Sequence, residues 1–198
     1  VGRRVELGYT AGGRDAPLST TEDRAMTATE KVPTLVKIRW MTPKDIDEVL
    51  QIEYGSFEDV WTADDFKKHL SKKTCVVMLA YRGNANSLQT VGYFAYQQDR
   101  TSFTLLKIAV HPDHRRHGIG TQMLDKLMSK LMGSCRIRAT AMVRDRDVIS
   151  QKFFRAMSWR SEKVLRRYFP PEEDLKLEAD DGILFAYNVP LDDVGLKC

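Results

Sequence analysis

Hydrophobic and polar positions divide the chain into short alternating runs after an unpatterned start. Leu35–Trp40 (LVKIRW) reads as a short strand. The next run places Ile46, Val49, Leu50 and Ile52 at helical spacing, with Thr42 as cap, Pro43 at the first helical position and Asp45 in the first turn. TADDFKKHL predicts a second short helix, capped by Thr62 with Asp65 three residues on. Three strand-like runs follow, Cys75–Tyr81, Thr90–Gln98 and Ser102–Val110, with turn signals at Gly83, Asn84 and Asn86 and again at Asp99–Thr101. In GTQMLDKLMSKLMG, Leu124, Leu127, Met128 and Leu131 share a helix face, and Gly133 stops it. Cys135–Val143 alternates in period two, with Cys135, Ile137, Ala139, Ala141 and Val143 on one face. Asp147 caps a helix through Phe153, Phe154 and Met157, and WRSEKVLRRYF and ILFAYNV supply two last strands.

The order β-α-α-β-β-β-α-β-α-β-β predicts a mixed sheet with helices on both faces. Residues 1–34 carry little periodicity and read as a poorly ordered tail, in which Met26 is an alternative start. Residues 35–198 read as a single domain. The length of 198 residues with 42% hydrophobic content suits one core of ordinary size. A net charge of +4 is too weak to point to nucleic acid without a reading motif. No apolar run is long enough to span a bilayer, and no signal-peptide core is present. Three cysteines, Cys75, Cys135 and Cys198, lack framework spacing; the first two read as core hydrophobes in strands. The expected setting is reducing and cytoplasmic.

Candidate chemistry centres on HPDHRRHGIG, His111–Gly120. A strand, a basic glycine turn and a helix start make an anion site, because the first helical N–H groups lack internal partners and the dipole is positive there. Gly118 and Gly120 let the backbone approach a ligand closely. No Gly-Lys-Ser/Thr follows, so the loop is not a Walker A motif. His111, His114 and His117 are regularly spaced, but no carboxylate or thiolate is placed to complete a metal site, and none is expected.

RRHGIG resembles the pyrophosphate loop of GNAT N-acetyltransferases, Gln/Arg-x-x-Gly-x-Gly/Ala, and KIAVHPDHRRHGIGTQML resembles that family's strand, loop and helix as a unit. The likeness runs from about Val36 to Asn188. Within the family, IEYGSFEDVWTADDF, VRDRDVISQKFFRAMSW and RRYFP resemble segments of the RimI-like branch, the ribosomal-protein alanine N-acetyltransferases. The resemblance implies an α/β GNAT fold, a central mixed twisted sheet of about seven strands flanked by about four helices. It implies acetyl-CoA, with Ile108, Ala109 and Val110 along the pantetheine arm. Arg116, His117 (through its backbone), Gly118, Ile119, Gly120 and Thr121 would hold the pyrophosphate, with Arg115 alongside. Asp147 stands where the family has a cofactor-contacting Asn.

Two departures fall on the chemistry. Met142 occupies the position of the branch's general-base Glu, and Phe154 that of its general-acid Tyr; Phe153 supplies no hydroxyl either. Candidate substitutes are Tyr168, an acid or else a strand aromatic, and Glu53, acting through a water or else simply on a solvated helix face, the reading its position favours. Lys107, where the branch often has Asn, either orients substrate or faces water. Phe57, Trp61, Tyr168 and Phe169 would contact the acceptor, while Arg136, Arg138 and Arg144 either attract an acidic substrate or form a solvated strand face, the reading their spacing favours. The expected activity is acetyl-CoA-dependent transfer to a protein N-terminal α-amine by direct attack in a ternary complex. Alternatives are a small-amine acetyltransferase and a non-catalytic acyl-CoA-binding module.

Overall fold

The structure, a computed structural model, describes residues 34–84, 87–171 and 178–190. Strand β1, Lys37–Trp40, leads into a 3-10 turn, Pro43–Asp45, and helix α1, Ile46–Tyr54. Asp45 fixes this entry: its carboxylate accepts from the Thr42 N–H and hydroxyl, both at 2.8 Å, and pairs with Arg39 at 2.6 Å. Helix α2, Ala63–Ser71, starts at the expected capping box: the Thr62 hydroxyl accepts from the Asp65 N–H, and the Asp65 carboxylate accepts from the Thr62 N–H. Strands β2, Cys75–Asn84, and β3, Ser87–Gln98, run past the hydrophobic segments that predict them, because the ladder continues to Asn84↔Ser87. Then come β4, Ser102–Val110; a 3-10 turn, Pro112–His114; α3, Ile119–Met132; β5, Arg138–Arg144; α4, Val148–Ala156; β6, Arg160–Phe169; and β7, Asp180–Asn188.

The seven strands form one sheet in the order β1-β2-β3-β4-β5-β7-β6, with β4 and β5 the parallel pair. Helices α1 and α2 cover one face, burying Ile46, Val49, Ile52 and Phe66 against Tyr93 and Ala95. Helices α3 and α4 cover the other, burying Leu124, Leu127 and Phe154 with Phe94, Ala139 and Phe185. The α/β sheet with four helices is the architecture that the alternating runs predict.

Two irregularities in β4 shape the site. The β3–β4 register shifts so that Ala95 pairs with Lys107 and Tyr96 with Leu105, leaving Leu106 as the extra residue of a bulge. Phe103 and Leu105 therefore join the α3–α4 core, whereas Ala109 joins the α1–α2 core. The ladder between β4 and β5 ends at Leu105↔Ala141, although β4 continues to Val110 and β5 to Arg144. The strands separate from that point.

The expected strand from Cys135 begins only at Arg138. Residues through Cys135 form the turn that closes α3, with the Ser134 N–H and hydroxyl both donating to the Leu131 carbonyl. Cys135 is exposed and disulfide-bonded, not a buried thiol, and Ile137 is exposed; Ala139, Ala141 and Val143 are buried as the alternation requires. Cys75 is a half-buried free thiol. Residues 1–33 of the expected tail, Met26 among them, and Cys198 lie outside the described residues, while Thr34 at the tail's end is hydrogen-bonded to the domain. No described helix is long and apolar enough to cross a membrane.

Candidate functional site

The basic glycine loop joins the end of β4 to α3. Arg116 and Gly118 both take left-handed conformations, φ 65° and 73°, and curl the chain into the helix start. Gly118 is the N-cap, and the first helical bond runs from the Gln122 N–H to the Gly118 carbonyl at 3.1 Å. The amides of Ile119, Gly120 and Thr121 are thereby left without intrahelical partners. A Cβ built at Gly120 would make only ordinary contacts, 3.4 Å to Phe153 Cε2 and 3.8 Å to Val110 Cγ2. Neither internal packing nor backbone conformation requires glycine there. The loop is braced from behind: the Thr34 N–H donates to the His117 carbonyl at 3.1 Å, and Gln122 holds both the Val36 N–H and the Thr34 carbonyl.

Arg115 faces the protein. Its guanidinium donates to the Val110 carbonyl (3.0 Å), the Gly55 carbonyl (2.9 Å) and the Ser56 hydroxyl (2.9 Å), tying the loop to the end of α1. Burial, then the neighbouring charge of Arg82, holds His114 below the usual imidazole range. His114 Nε2 and His117 Nδ1 are buried without a hydrogen-bond partner among the described residues.

Where β4 and β5 part, they enclose a cavity of about 170 Å³. That is smaller than the roughly 300–1,000 Å³ of a pocket that encloses a whole drug-sized ligand. Its walls are Leu105–Ile108 from β4, Ala141–Arg144 from β5, Asp147, Ser150 and Phe154 from α4, Phe57–Asp59 from the turn after α1, and Phe169. Met142 and Phe154 both line it, so the two positions singled out in the sequence meet at one place and bring a thioether and a phenyl ring. Phe154 is also core, packed on Trp159 and Phe185. Asp147 caps α4, accepting from the Ser150 N–H at 2.9 Å, as its position predicts.

Glu53 is fully buried, which overturns the solvated-face reading. It falls on the apolar face of α1, four residues after Val49 and seven after Ile46. Its carboxylate accepts from the Trp61 N–H at 2.8 Å, from Tyr93 Oη and from Lys107 Nζ. Lys107 is buried too, because the bulge turns it toward α1; it also donates to the Asp59 carbonyl and lies 4.4 Å from the Phe57 ring centroid. It does not face water. Burial, reinforced by the Glu53 charge, keeps the Tyr93 phenol well above its ordinary range, so it stays a donor. Sequence reasoning missed Tyr93, which looks like any other aromatic in a strand. The α1 spacing did carry the signal for Glu53.

Trp61 stacks on His69 at 4.1 Å, with its ring 5.1 Å from Lys107 Nζ. Tyr168 is half exposed and does not line the cavity; its ring meets Phe169 edge-on at 5.0 Å. A Cβ at Gly182 would lie 2.8 Å from Met142 Sδ and 2.9 Å from Tyr168 Cβ, so the absence of a side chain there lets both close on β7. Arg144 and Arg146 share Asp180 at 3.0 and 2.8 Å, and Arg146 also pairs with Glu58 across the cavity mouth. Arg138 pairs with Glu162, and Arg136 donates to the Asp99 carbonyl at 2.7 Å. The three arginines are paired, not a free solvated face.

The chain is similar in sequence and in fold to known proteins. The acetyltransferase (GNAT) family profile matches residues 45–159. An uncharacterised N-acetyltransferase of Methanocaldococcus jannaschii is 26% identical over 139 residues, 69% of this chain and 86% of that one. Among solved structures, the ribosomal-protein-S18-alanine N-acetyltransferase of Escherichia coli superposes with a TM-score of 0.68 at 19% identity, covering 79% of this chain and 96% of its own. Arabidopsis thaliana NAA60 in complex with acetyl-CoA gives a TM-score of 0.68 at 15% identity, covering 78% and 99%.

Proposed function

The chain belongs to the GNAT family of acetyltransferases and transfers acetyl from acetyl-CoA to an amine, and from that premise we propose that its acceptor is the free α-amine of a protein N-terminus. Acetyl-CoA supplies a thioester whose carbonyl carbon is the electrophile. The residues here suit it. The amides opening α3 and the absence of a side chain at Gly120 suit a pyrophosphate, with Arg116, His117, Gly118, Ile119, Gly120 and Thr121 around it and Arg115 holding the loop in place. Beyond the bulge, Ile108, Ala109 and Val110 have no ladder partner toward β5 and leave backbone groups for the pantetheine arm. Asp147 stands at the cavity edge.

The observation that carries the acceptor is the apolar pair Met142 and Phe154 on the cavity wall. Neither can take a proton from an incoming ammonium, so the amine must arrive neutral. At pH 7 that costs an α-amine about 1 kcal/mol and a lysine about 4–5 kcal/mol. Alignment of two bound reactants contributes several kcal/mol more without any base. Phe57 and Phe169 line the cavity from different elements, and Trp61 and Tyr168 lie beside them, giving apolar walls for the first acceptor residues. The RimI-like segments, and the fold shared with proteins that acetylate alanine N-termini, support the same reading.

The test measures CoA thiol release with free N-terminal peptides against N-blocked, lysine-containing controls. Release with the free N-termini alone supports the reading. Release with the blocked peptides, or with small amines only, overturns it.

A further inference from the structure

The cavity between the parted strands mixes apolar side chains with Glu58, Asp59, Arg144 and Asp147, and one buried cation, Lys107, also lines it. Lys107 lines the cavity at 9% exposure, while its partner Glu53 stands behind it at 0% and does not line it. Glu53 is fully committed: one oxygen takes the Trp61 N–H and Lys107, and the other takes Tyr93. Glu53 does not itself line the cavity, and it meets the cavity through Lys107. Lys107 has two hydrogen-bond acceptors, Glu53 and the Asp59 carbonyl, for three N–H donors. The ammonium also lies over the rings of Phe57, itself a lining residue, and Trp61, so Lys107 stands between the cavity it lines and the carboxylate buried behind it. The charged groups around it are Glu53 from α1, Tyr93 from β3, His69 from α2, and Glu58 and Asp59 from the turn, with Arg144 and Asp147 across the cavity. Of these, Glu58 is paired with Arg146, Arg144 with Asp180, and Asp147 is spent on the α4 cap.

We propose that Lys107, held in place by Glu53 and Tyr93, is the group that stabilises negative charge on sulfur as the acetyl group leaves, in place of an acid that would protonate it. This rests on the acetyl-transfer reading, not on which amine is the acceptor. The amine nitrogen forms its bond to the carbonyl carbon, and the carbon–sulfur bond breaks with its electron pair left on sulfur. The proton shed by nitrogen passes to solvent or to the thiolate. A buried ammonium fixed beside the cavity stabilises that developing thiolate without moving. The same charge disfavours an acceptor that is still protonated, so it selects the neutral amine. Glu53 and Tyr93 are positioning residues, because both reach the cavity only through Lys107.

The test is the titration of CoA thiol bound to the intact protein, followed by ultraviolet thiolate absorbance with no acceptor present. A free thiol titrates near 8.5. A cation within a few ångströms lowers that by about one unit or more. Lys107→Met alone strands a buried carboxylate and risks the fold, so the decisive variant is Lys107→Met combined with Glu53→Gln, which removes the pair as a unit. Lys107→Arg keeps the charge. The expected result is a depressed thiol pKa in the native protein and in Lys107→Arg, returned to the free value in the double variant while CoA still binds, with kcat reduced at least tenfold. A bound thiol that titrates normally in the native protein, or equally low in the double variant, overturns the proposal. So does full recovery of kcat in the double variant, which would make the pair structural only. Failure of every peptide as acceptor would sink the N-terminal reading and leave the thiol titration as it stands.

Discussion

The guanidinium of Arg115 and the hydroxyl of Ser56 meet at 2.9 Å, joining the basic loop to the end of α1. The same nitrogen reaches the Gly55 carbonyl, and Nε reaches the Val110 carbonyl, so the arginine bridges three segments of backbone around the candidate pyrophosphate site. Its contribution to binding is then the shape of the loop as much as its charge. Arg115→Ala is expected to weaken CoA binding roughly tenfold, or about 1.4 kcal/mol, with little change in Tm because the side chain is exposed. Arg115→Lys recovers little of it, since an ammonium lacks the planar fork. Calorimetric Kd values for the three proteins decide this.

Gly118 and Gly120 separate backbone need from ligand need. Gly118 holds φ 73°, and alanine there costs about 1–2 kcal/mol of stability. Gly120 has ordinary dihedrals and room for a methyl group, so Gly120→Ala leaves Tm nearly unchanged. That methyl group still occupies the helix opening that a phosphate must approach, and the affinity for CoA falls at least tenfold. Paired Tm and Kd measurements separate the two needs: Tm falls for Gly118→Ala, whereas Gly120→Ala loses affinity at nearly unchanged Tm.

Asp45 gives the fold an acid limit. Its hydrogen bond with Arg39, then those with Thr42, hold its carboxyl down at about 2 despite the opposing effect of burial. A depressed folded-state value means the stabilisation is fully present above the unfolded value near 4 and is lost as pH falls toward 2. Asp45→Asn should cost about 1–2 kcal/mol at pH 7 and flatten the stability profile between pH 4 and 2. Urea unfolding across that range tests it.

With Met142 and Phe154 on the cavity wall, the pH dependence of kcat/KM should belong to the acceptor. For an α-amine peptide the rate climbs with pH and levels near 8. Peptides whose terminal amines differ in pKa should shift that limb one for one. A limb that stays fixed while the acceptor changes would mean that a group of the protein is the base.

The order of elements and the anion loop were legible because they rest on local signals: caps at Thr62 and Asp147, turn residues at the hairpins, and glycines before an amphipathic run. The start of β5 was not, because Cys135 and Ile137 keep the period-two pattern while the closing turn of α3 takes up the chain through Cys135. The Glu53–Lys107 pair was hidden for a different reason. Each residue has a plausible solvated reading alone, and what buries them together is a bulge at Leu106, which leaves no mark in composition. Arg138 and Arg144 of β5 were misjudged in the same way, since Glu162 and Asp180 arrive from strands later in sequence.

The parting of β4 and β5 has a consequence for the lifetime of the protein. Four residue pairs join one half of the sheet to the other, and the rest of that seam is left to whatever occupies the cleft. A coenzyme that binds there sews the halves together, and at a hundred times its Kd it adds about 2.7 kcal/mol to the folded state. Occupancy by the coenzyme, acetylated or not, is thus expected to raise resistance to proteolysis, and the empty chain to be the most easily cut.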